Sequence, residues 1–271
     1  MSDLDPRVAT FRRLHESGCF VIPNPWDVGS ARLLEQLGFS ALATTSSGFA
    51  WTLGRPDNSV AIDEALAHYA AVANMVKVPV SADFERGFAT DPDDVAANVE
   101  RACDTGIAGL SIEDATHEVD TPLFDFDVAV ARVRAARRAI DDSGKGILLT
   151  GRSEGFIVGR PDLRETIRRL EAYADAGADV LYAPGLSNLD DIAVVVRAVA
   201  PLPVNVLVTS GFTTFADLAA LGVRRISVGS ALARTALTGF LAAAREISEQ
   251  GTFTALGRAT PFAEIDRLFG A

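Results

Sequence analysis

The chain has 271 residues, 48% of them hydrophobic, and a formal net charge of -11. That balance argues against nucleic acid and anionic membranes as partners. Three histidines and two isolated cysteines exclude a His-rich metal site, a zinc cluster and a disulfide framework. The opening MSDLDPRVATFRRL has no apolar signal core and no run reaches roughly 18 apolar residues, so a cytoplasmic, membrane-free protein is expected.

Short apolar runs alternate with longer amphipathic segments. FVIPN (20–24) reads as a strand and 28–38 as a helix that stops at Gly38. SALATTS (40–46) is the next strand and 62–76 the next helix. VPVSADF (78–84) is followed by a helix over 91–106, opened by Asp91-Pro92 and closed by Gly106. GLSIED (109–114) precedes a helix over 125–142, and GILLTGRSE (146–154) one over 161–176. The remaining pairs are DVLYAPG (179–185) with 188–199, PVNVLV (203–208) with 213–222, and RRISVGS (224–230) with 231–249.

Eight strand–helix pairs with near-continuous apolar strands predict a parallel sheet buried on both faces. At this length the expected architecture is a (β/α)8 TIM barrel, a single domain over 1–271. The tail 250–271 adds one amphipathic stretch, PFAEIDRLFG, expected as an extra C-terminal helix.

Barrel enzymes place their chemistry at the C-terminal ends of the strands. There this sequence offers Asn24-Pro25-Trp26-Asp27, Thr45-Ser46-Ser47-Gly48, Asp83 and Glu85, Glu113-Asp114, Arg152 and Glu154, Asn205, and Gly229-Ser230. Acids from adjacent strands with few bases suggest a hard cation such as Mg²⁺, which takes few ligands directly from protein and keeps several waters. Arg152 suits a substrate carboxylate, and the 45–48 turn suits an anionic oxygen. Trp26 reads as a pocket wall or core residue and His117 as a loop histidine. Arg132, Arg134, Arg137 and Arg138 read as a solvated helix face, and Cys103 as core.

Over roughly residues 15–240 the chain resembles the isocitrate lyase/phosphoenolpyruvate mutase superfamily. SADFERGF is similar to the family's metal-binding segment, which implies Asp83 as the direct Mg²⁺ ligand and Glu85 as a water-mediated one. SIED resembles the strand-4 acid pair, with Glu113 a further outer ligand. LGRPD resembles a segment that places Asp57 in the metal's water shell. TSSG resembles the turn that binds the oxo-acid end through Ser47 and Gly48, with Thr45 beside it. TGRSEG resembles the stretch whose arginine, Arg152, binds a carboxylate, and PVNV puts Asn205 near the site. The resemblance implies Mg²⁺, with Mn²⁺ as its substitute. It also implies a homo-oligomer, a dimer or tetramer that exchanges C-terminal helices.

Two family loops are missing. After strand 4 the chain reads ATHEVDTPLFDFD, without the Cys-bearing loop of isocitrate and methylisocitrate lyases or the Lys-Thr-Asn-Ser loop of the mutase. What survives is a metal-held pyruvate-type enolate. The expected activity is therefore a Mg²⁺-dependent lyase that cleaves a carbon–carbon bond in a small anionic 2-oxo or 2-hydroxy acid, decarboxylase-like or methylisocitrate-lyase-like. Glu113, Arg152 and Ser47 carry the chemistry. Phosphorus–carbon chemistry on phosphonopyruvate, by a mutase or a hydrolase, is one alternative. A non-catalytic oxo-acid-binding barrel is the other.

Overall fold

The computed structural model describes residues 4–270, and all eight expected strands are present. In chain order the elements are α1 (Pro6–Glu16), β1 (Phe20–Ile22), α2 (Val28–Gln36), β2 (Leu42–Ala43), α3 (Ser46–Thr52), α4 (Ile62–Met75) and β3 (Val80–Ala82). There follow α5 (Pro92–Cys103), β4 (Gly109–Glu113), α6 (Phe126–Ser143), β5 (Leu148–Arg152), α7 (Leu163–Asp175) and β6 (Val180–Tyr182). The chain continues with α8 (Leu189–Ala198), β7 (Val204–Leu207), α9 (Phe215–Ala220), β8 (Arg225–Ser227) and α10 (Ala231–Gln250). A 3-10 turn over Thr254–Arg258 leads into α11 (Phe262–Phe269), the expected tail helix.

All pairings are parallel, in the order β1-β8-β7-β6-β5-β4-β3-β2. This is a (β/α)8 barrel. Its seam lies between β1 and β2, where Ala43 N donates to Pro23 O at 3.1 Å. The buried amide of Asn24 carries the closure further. Asn24 Nδ2 donates to Thr44 O at 2.9 Å, and its Oδ1 accepts from Val228 N and Gly229 N at 2.9 and 2.8 Å. One side chain thus joins the ends of the first, second and eighth strands.

Helix α1 lies outside the eightfold repeat, and its Phe11 is fully buried. Gly109 makes this contact possible, because a Cβ there would stand 2.8 Å from Phe11 Cε1 and 3.0 Å from Leu148 O. Opposite the usual apolar filling of such barrels, this interior is polar. Arg225 on β8 donates to Thr150 on β5, strands that are not neighbours, so both side chains point inward.

Three expectations change. α1 was not anticipated, because its polar opening masked the periodicity. The 45–48 turn is the first turn of α3, capped by the Thr45 hydroxyl. The four arginines of α6 do not form one solvated face. Arg134 and Arg138 are exposed, but Arg132 is fully buried. It lies 4.0 Å over the Phe124 ring and donates to the carbonyls of Arg86, Ala89 and Thr90, which ties the loop after β3 to α6. Arg137 pairs with Asp141 and Asp179. Cys103 is core, as expected. No helix among the described residues is long and apolar enough to cross a membrane.

Asn24→Ala would leave two amides and a carbonyl unpaired at the seam. We expect a loss of about 3 kcal/mol in unfolding free energy, read from the urea midpoint. A loss below about 0.5 kcal/mol would show that the seam does not depend on this amide.

Candidate active site

The C-terminal ends of the strands surround a cavity of about 180 Å³. Thr45, Ser46, Ser47, Asp57, Asp83 and Arg152 line its mouth, and Tyr182, Asn205, Arg225 and Ser227 lie deeper. Asp83 is fixed from three directions. Its N–H donates to Thr44 Oγ1 at 2.9 Å, its carbonyl accepts from Tyr69 OH at 2.8 Å, and its Oδ2 accepts from Ser46 N at 3.0 Å. The last bond sets the carboxylate against the N-terminus of α3, where the helix dipole favours negative charge.

Arg152, the last residue of β5, stands among three carboxylates. Its Nη1 is 3.1 Å from Asp83 Oδ1 and 3.0 Å from Glu113 Oε2, and its Nε donates to Glu154 Oε1. The two glutamates respond differently. Burial works against the Glu113 charge, but Arg152 and His117 offset it and hold the carboxyl below its usual value. Burial dominates at Glu154, which is pushed up despite the same arginine. One guanidinium cannot neutralise three acids, and its charge is spent mainly on Glu113.

Asp57 and Asp83 face the cavity, whereas Glu85 and Glu113 lie one layer out. The loop after β3 brings Glu85 there through a left-handed backbone, φ 48°, a conformation that costs energy outside glycine. Gly87, at φ 75°, lets the loop close over α5, and a Cβ there would stand 3.0 Å from Val95 Cγ1. Burial, and then the charges of Asp83, Glu113 and Asp57, push Glu85 up to about 8. Burial and Asp83 likewise raise Asp57.

Mutually repelling carboxylates at the mouth of a cavity are a donor set for a divalent cation. Among the described residues no three His, Cys, Asp or Glu side chains close around one point. A sparse all-oxygen set of this kind fits Mg²⁺ or Mn²⁺, which keep several waters, and does not fit a closed zinc cage.

The other expected residues fall in three places. Thr45 and Ser47 line the mouth, but the Gly48 amide is turned to the Thr45 hydroxyl at 3.5 Å as a helix cap. Asn205 lies deep, donating to Ser227 Oγ and accepting from Arg225 Nε, both at 2.9 Å. Trp26 is outside this cavity. It packs on Gly48, whose added Cβ would meet Trp26 Cβ at 2.8 Å, and lines a separate apolar cavity with Trp51, Leu237 and Phe240. Asp114, next to Glu113 in sequence, points the other way. It accepts from Arg169 at 3.0 Å, Tyr173 at 2.6 Å and Glu154 N at 2.7 Å, all buried. The segment after β4 forms a small hairpin held by the Ala115–Leu123 bridge, and its His117 Nε2 lies 3.2 Å from Glu113 Oε1.

Sequence reasoning passed over Tyr182 and Arg225. The signal for Arg225 was the two-residue alternation of RRISVGS, which puts Arg225 and Ser227 on the same inward face.

A family model described as phosphoenolpyruvate phosphomutase matches residues 11–248. An uncharacterised Mycobacterium tuberculosis protein is 34% identical over 258 residues, covering 94% of each chain. The oxaloacetate decarboxylase of Paraburkholderia xenovorans is 30% identical over 227 residues, 80% of this chain and 73% of its own. Among solved structures, a candidate lyase/mutase from Burkholderia cenocepacia J2315 is 49% identical with a TM-score of 0.95, covering 98% of this chain and 96% of that one. A phosphonopyruvate hydrolase in complex with oxalate and Mg²⁺ is 25% identical with a TM-score of 0.86, covering 97% and 95%.

Arg169→Met tests the division between Glu113 and Asp114. Removing one partner of a buried pair should cost about 3–5 kcal/mol, measured by urea unfolding. A near-neutral result would return Asp114 to the candidate site.

Proposed function

The chain belongs to the isocitrate lyase/phosphoenolpyruvate mutase superfamily, an enzyme group of lyases and mutases, and we propose that it is a Mg²⁺-dependent carbon–carbon lyase. Its substrate is a small 2-oxo or 2-hydroxy carboxylic acid. One observation carries the reading: an excess of carboxylates shares a small cavity with anion-binding donors. Asp57 and Asp83 line the mouth, Glu85 and Glu113 stand one layer out, and the Arg152 guanidinium there is already shared. An anionic acid enters such a mouth only together with a cation.

In this reading Asp83 holds Mg²⁺ directly, while Asp57, Glu85 and Glu113 hold its water shell. Bound there, the ion supplies Lewis-acid stabilisation of the charge that develops on the substrate's oxo oxygen. Arg152 orients the acid's carboxylate beside Ser47. Thr45 fixes the first turn of α3, and with it the Ser46 amide that pins Asp83. A preorganised donor of this kind is typically worth about 10²–10³ in rate. Glu113 sets the charge and position of Arg152 through their 3.0 Å contact.

The cavity is smaller than the roughly 300 Å³ at which drug-sized pockets begin, which favours an acid of few carbons. The hairpin after β4 offers Thr116, His117, Glu118 and Asp120 but neither Cys nor Lys. Cleavage that leaves protonation to water suits that inventory. Phosphorus–carbon cleavage of phosphonopyruvate is the second reading, favoured by the structural likeness to the phosphonopyruvate hydrolase. The acidic hairpin, with Glu118 and Asp120, weighs against a phosphonate and against a second carboxylate alike, so it does not separate the two readings.

A homo-oligomer and a cytoplasmic location belong to the same proposal. The exposed apolar side chains Phe240, Leu241, Phe253 and Phe262 on the C-terminal elements support assembly through that end.

Calorimetric titration with oxalate, a planar mimic of the pyruvate enolate, tests the site. We expect micromolar binding with Mg²⁺ that disappears in EDTA and in Asp83→Ala. Equal binding with and without the metal would sink the assignment. Mg²⁺ at about a hundred times its Kd should also stabilise the metal-free protein by ~2.7 kcal/mol, read as a rise in Tm that Asp83→Ala abolishes. Carbon and ³¹P spectra of the products from oxo acids and phosphonopyruvate then separate the two bond classes.

A further inference from the structure

We propose that His117 is a positioning residue of the metal centre: from the hairpin after β4 it holds one oxygen of Glu113 and so fixes the carboxylate that serves the cation's water shell. This deepens the proposed function and rests on it, because the orientation of Glu113 matters to a cation only if one binds at Asp83.

Glu113 ends β4 and is 5% exposed, so its carboxylate depends on protein partners. Its Oε2 lies 3.0 Å from Arg152 Nη1 on β5, and its Oε1 lies 3.2 Å from His117 Nε2 on the hairpin. The last torsion of a glutamate is broad, so a carboxylate held at one oxygen is free to turn. Held at both oxygens, from two different elements, it is not. A neutral imidazole with its proton on Nε2 donates this bond, so the contact does not depend on the charge of the ring.

The hairpin is built to present this side chain. The Ala115–Leu123 bridge closes it, and Thr116 N donates to Pro122 O at 3.0 Å. The Thr116 hydroxyl donates to Thr121 O and accepts from Glu118 N at 3.0 Å, while Arg86 from the loop after β3 donates to Thr116 O. His117 itself has a left-handed backbone, φ 66°. Among the described residues the non-glycine positions with positive φ are Asn58, Glu85, Phe88 and His117, and all four line one cavity of about 260 Å³. Three loops meet there: the one between α3 and α4, the one after β3, and the hairpin. Such backbones cost energy and persist only where the surrounding structure over-determines them, commonly at functional sites. At His117 the side chain aimed in this way meets Glu113. Outer partners that hold a metal's ligands are typically worth about 10–100-fold in metal affinity.

The test is Mg²⁺ affinity by calorimetry in four variants, with circular dichroism to check that each folds. His117→Asn keeps a residue that tolerates the left-handed backbone but ends one bond short of Nε2, and is expected to weaken Mg²⁺ by about 10-fold or more. His117→Gln restores a neutral donor at the same reach and should bind within about threefold of the wild type. Because His117 acts through Glu113, adding His117→Asn to Glu113→Ala should cost less than about a further twofold. The same cycle in urea, without metal, should be non-additive, since the two side chains touch. Mg²⁺ binding by His117→Asn within about twofold of the wild type, a Gln variant as weak as the Asn one, an undiminished loss in the Glu113→Ala background, or additive unfolding losses would each overturn the proposal. A wild type that binds no Mg²⁺ but shows the non-additive unfolding cycle would support the hold of His117 on Glu113 and sink the metal reading instead.

Discussion

The Arg152 guanidinium is shared by Asp83, Glu113 and Glu154, and the candidate site depends on how that charge is divided. Each carboxylate comes from a different strand end, so the arginine ties β3, β4 and β5 together at the mouth. It also leaves an electrostatic deficit. Glu85 and Asp57 lie within range of Asp83 and Glu113, and burial together with those charges raises the proton affinity of both. Parallel strands force this crowding, because adjacent strand ends of a barrel stand only about 5 Å apart. A cation at the mouth would resolve it and would free part of Arg152 for substrate.

The deeper end of the cavity has the opposite imbalance. Thr150, Asn205 and Arg225 occupy positions that most barrels fill with branched apolar side chains. Their polarity costs hydrophobic stabilisation in the barrel interior, and the helices outside carry the core instead, in the α5–α6 packing and around Phe11, Tyr173 and Leu170. The protein thus holds excess negative charge at the mouth and, deeper, an arginine whose hydrogen-bond partners among the described residues are neutral.

Much of this was legible in the sequence. Strand alternation and the near-continuous apolar runs gave the barrel, because a parallel strand buried on both faces has few alternatives. Asp83, Glu85, Glu113 and Arg152 were legible because they follow apolar runs directly at strand ends, where a barrel places its chemistry. What failed was anything that needed to know the other side of a contact. Arg132 looks like its exposed neighbours Arg134 and Arg138, and only the carbonyls of the loop after β3 make it a buried clamp. Asp114 looks like Glu113, but one residue along a strand reverses the face. Trp26 adjoins a strand end yet turns outward, because Gly48 gives it room against α10. Arg225 was passed over within the strand RRISVGS, whose alternation gives its inward face but not the Thr150 and His15 that lie opposite.

Asn24 joins three strand ends through both faces of its amide, and the next residue in the chain is Pro25. Asparagine side chains age by deamidation, in which the following backbone nitrogen attacks the amide carbon and closes a five-membered imide. Proline has no N–H to supply that nitrogen. The side chain that would lose its donor to Thr44 O on becoming an aspartate is therefore shielded from the commonest route to that damage. The barrel seam is protected against time as well as against unfolding.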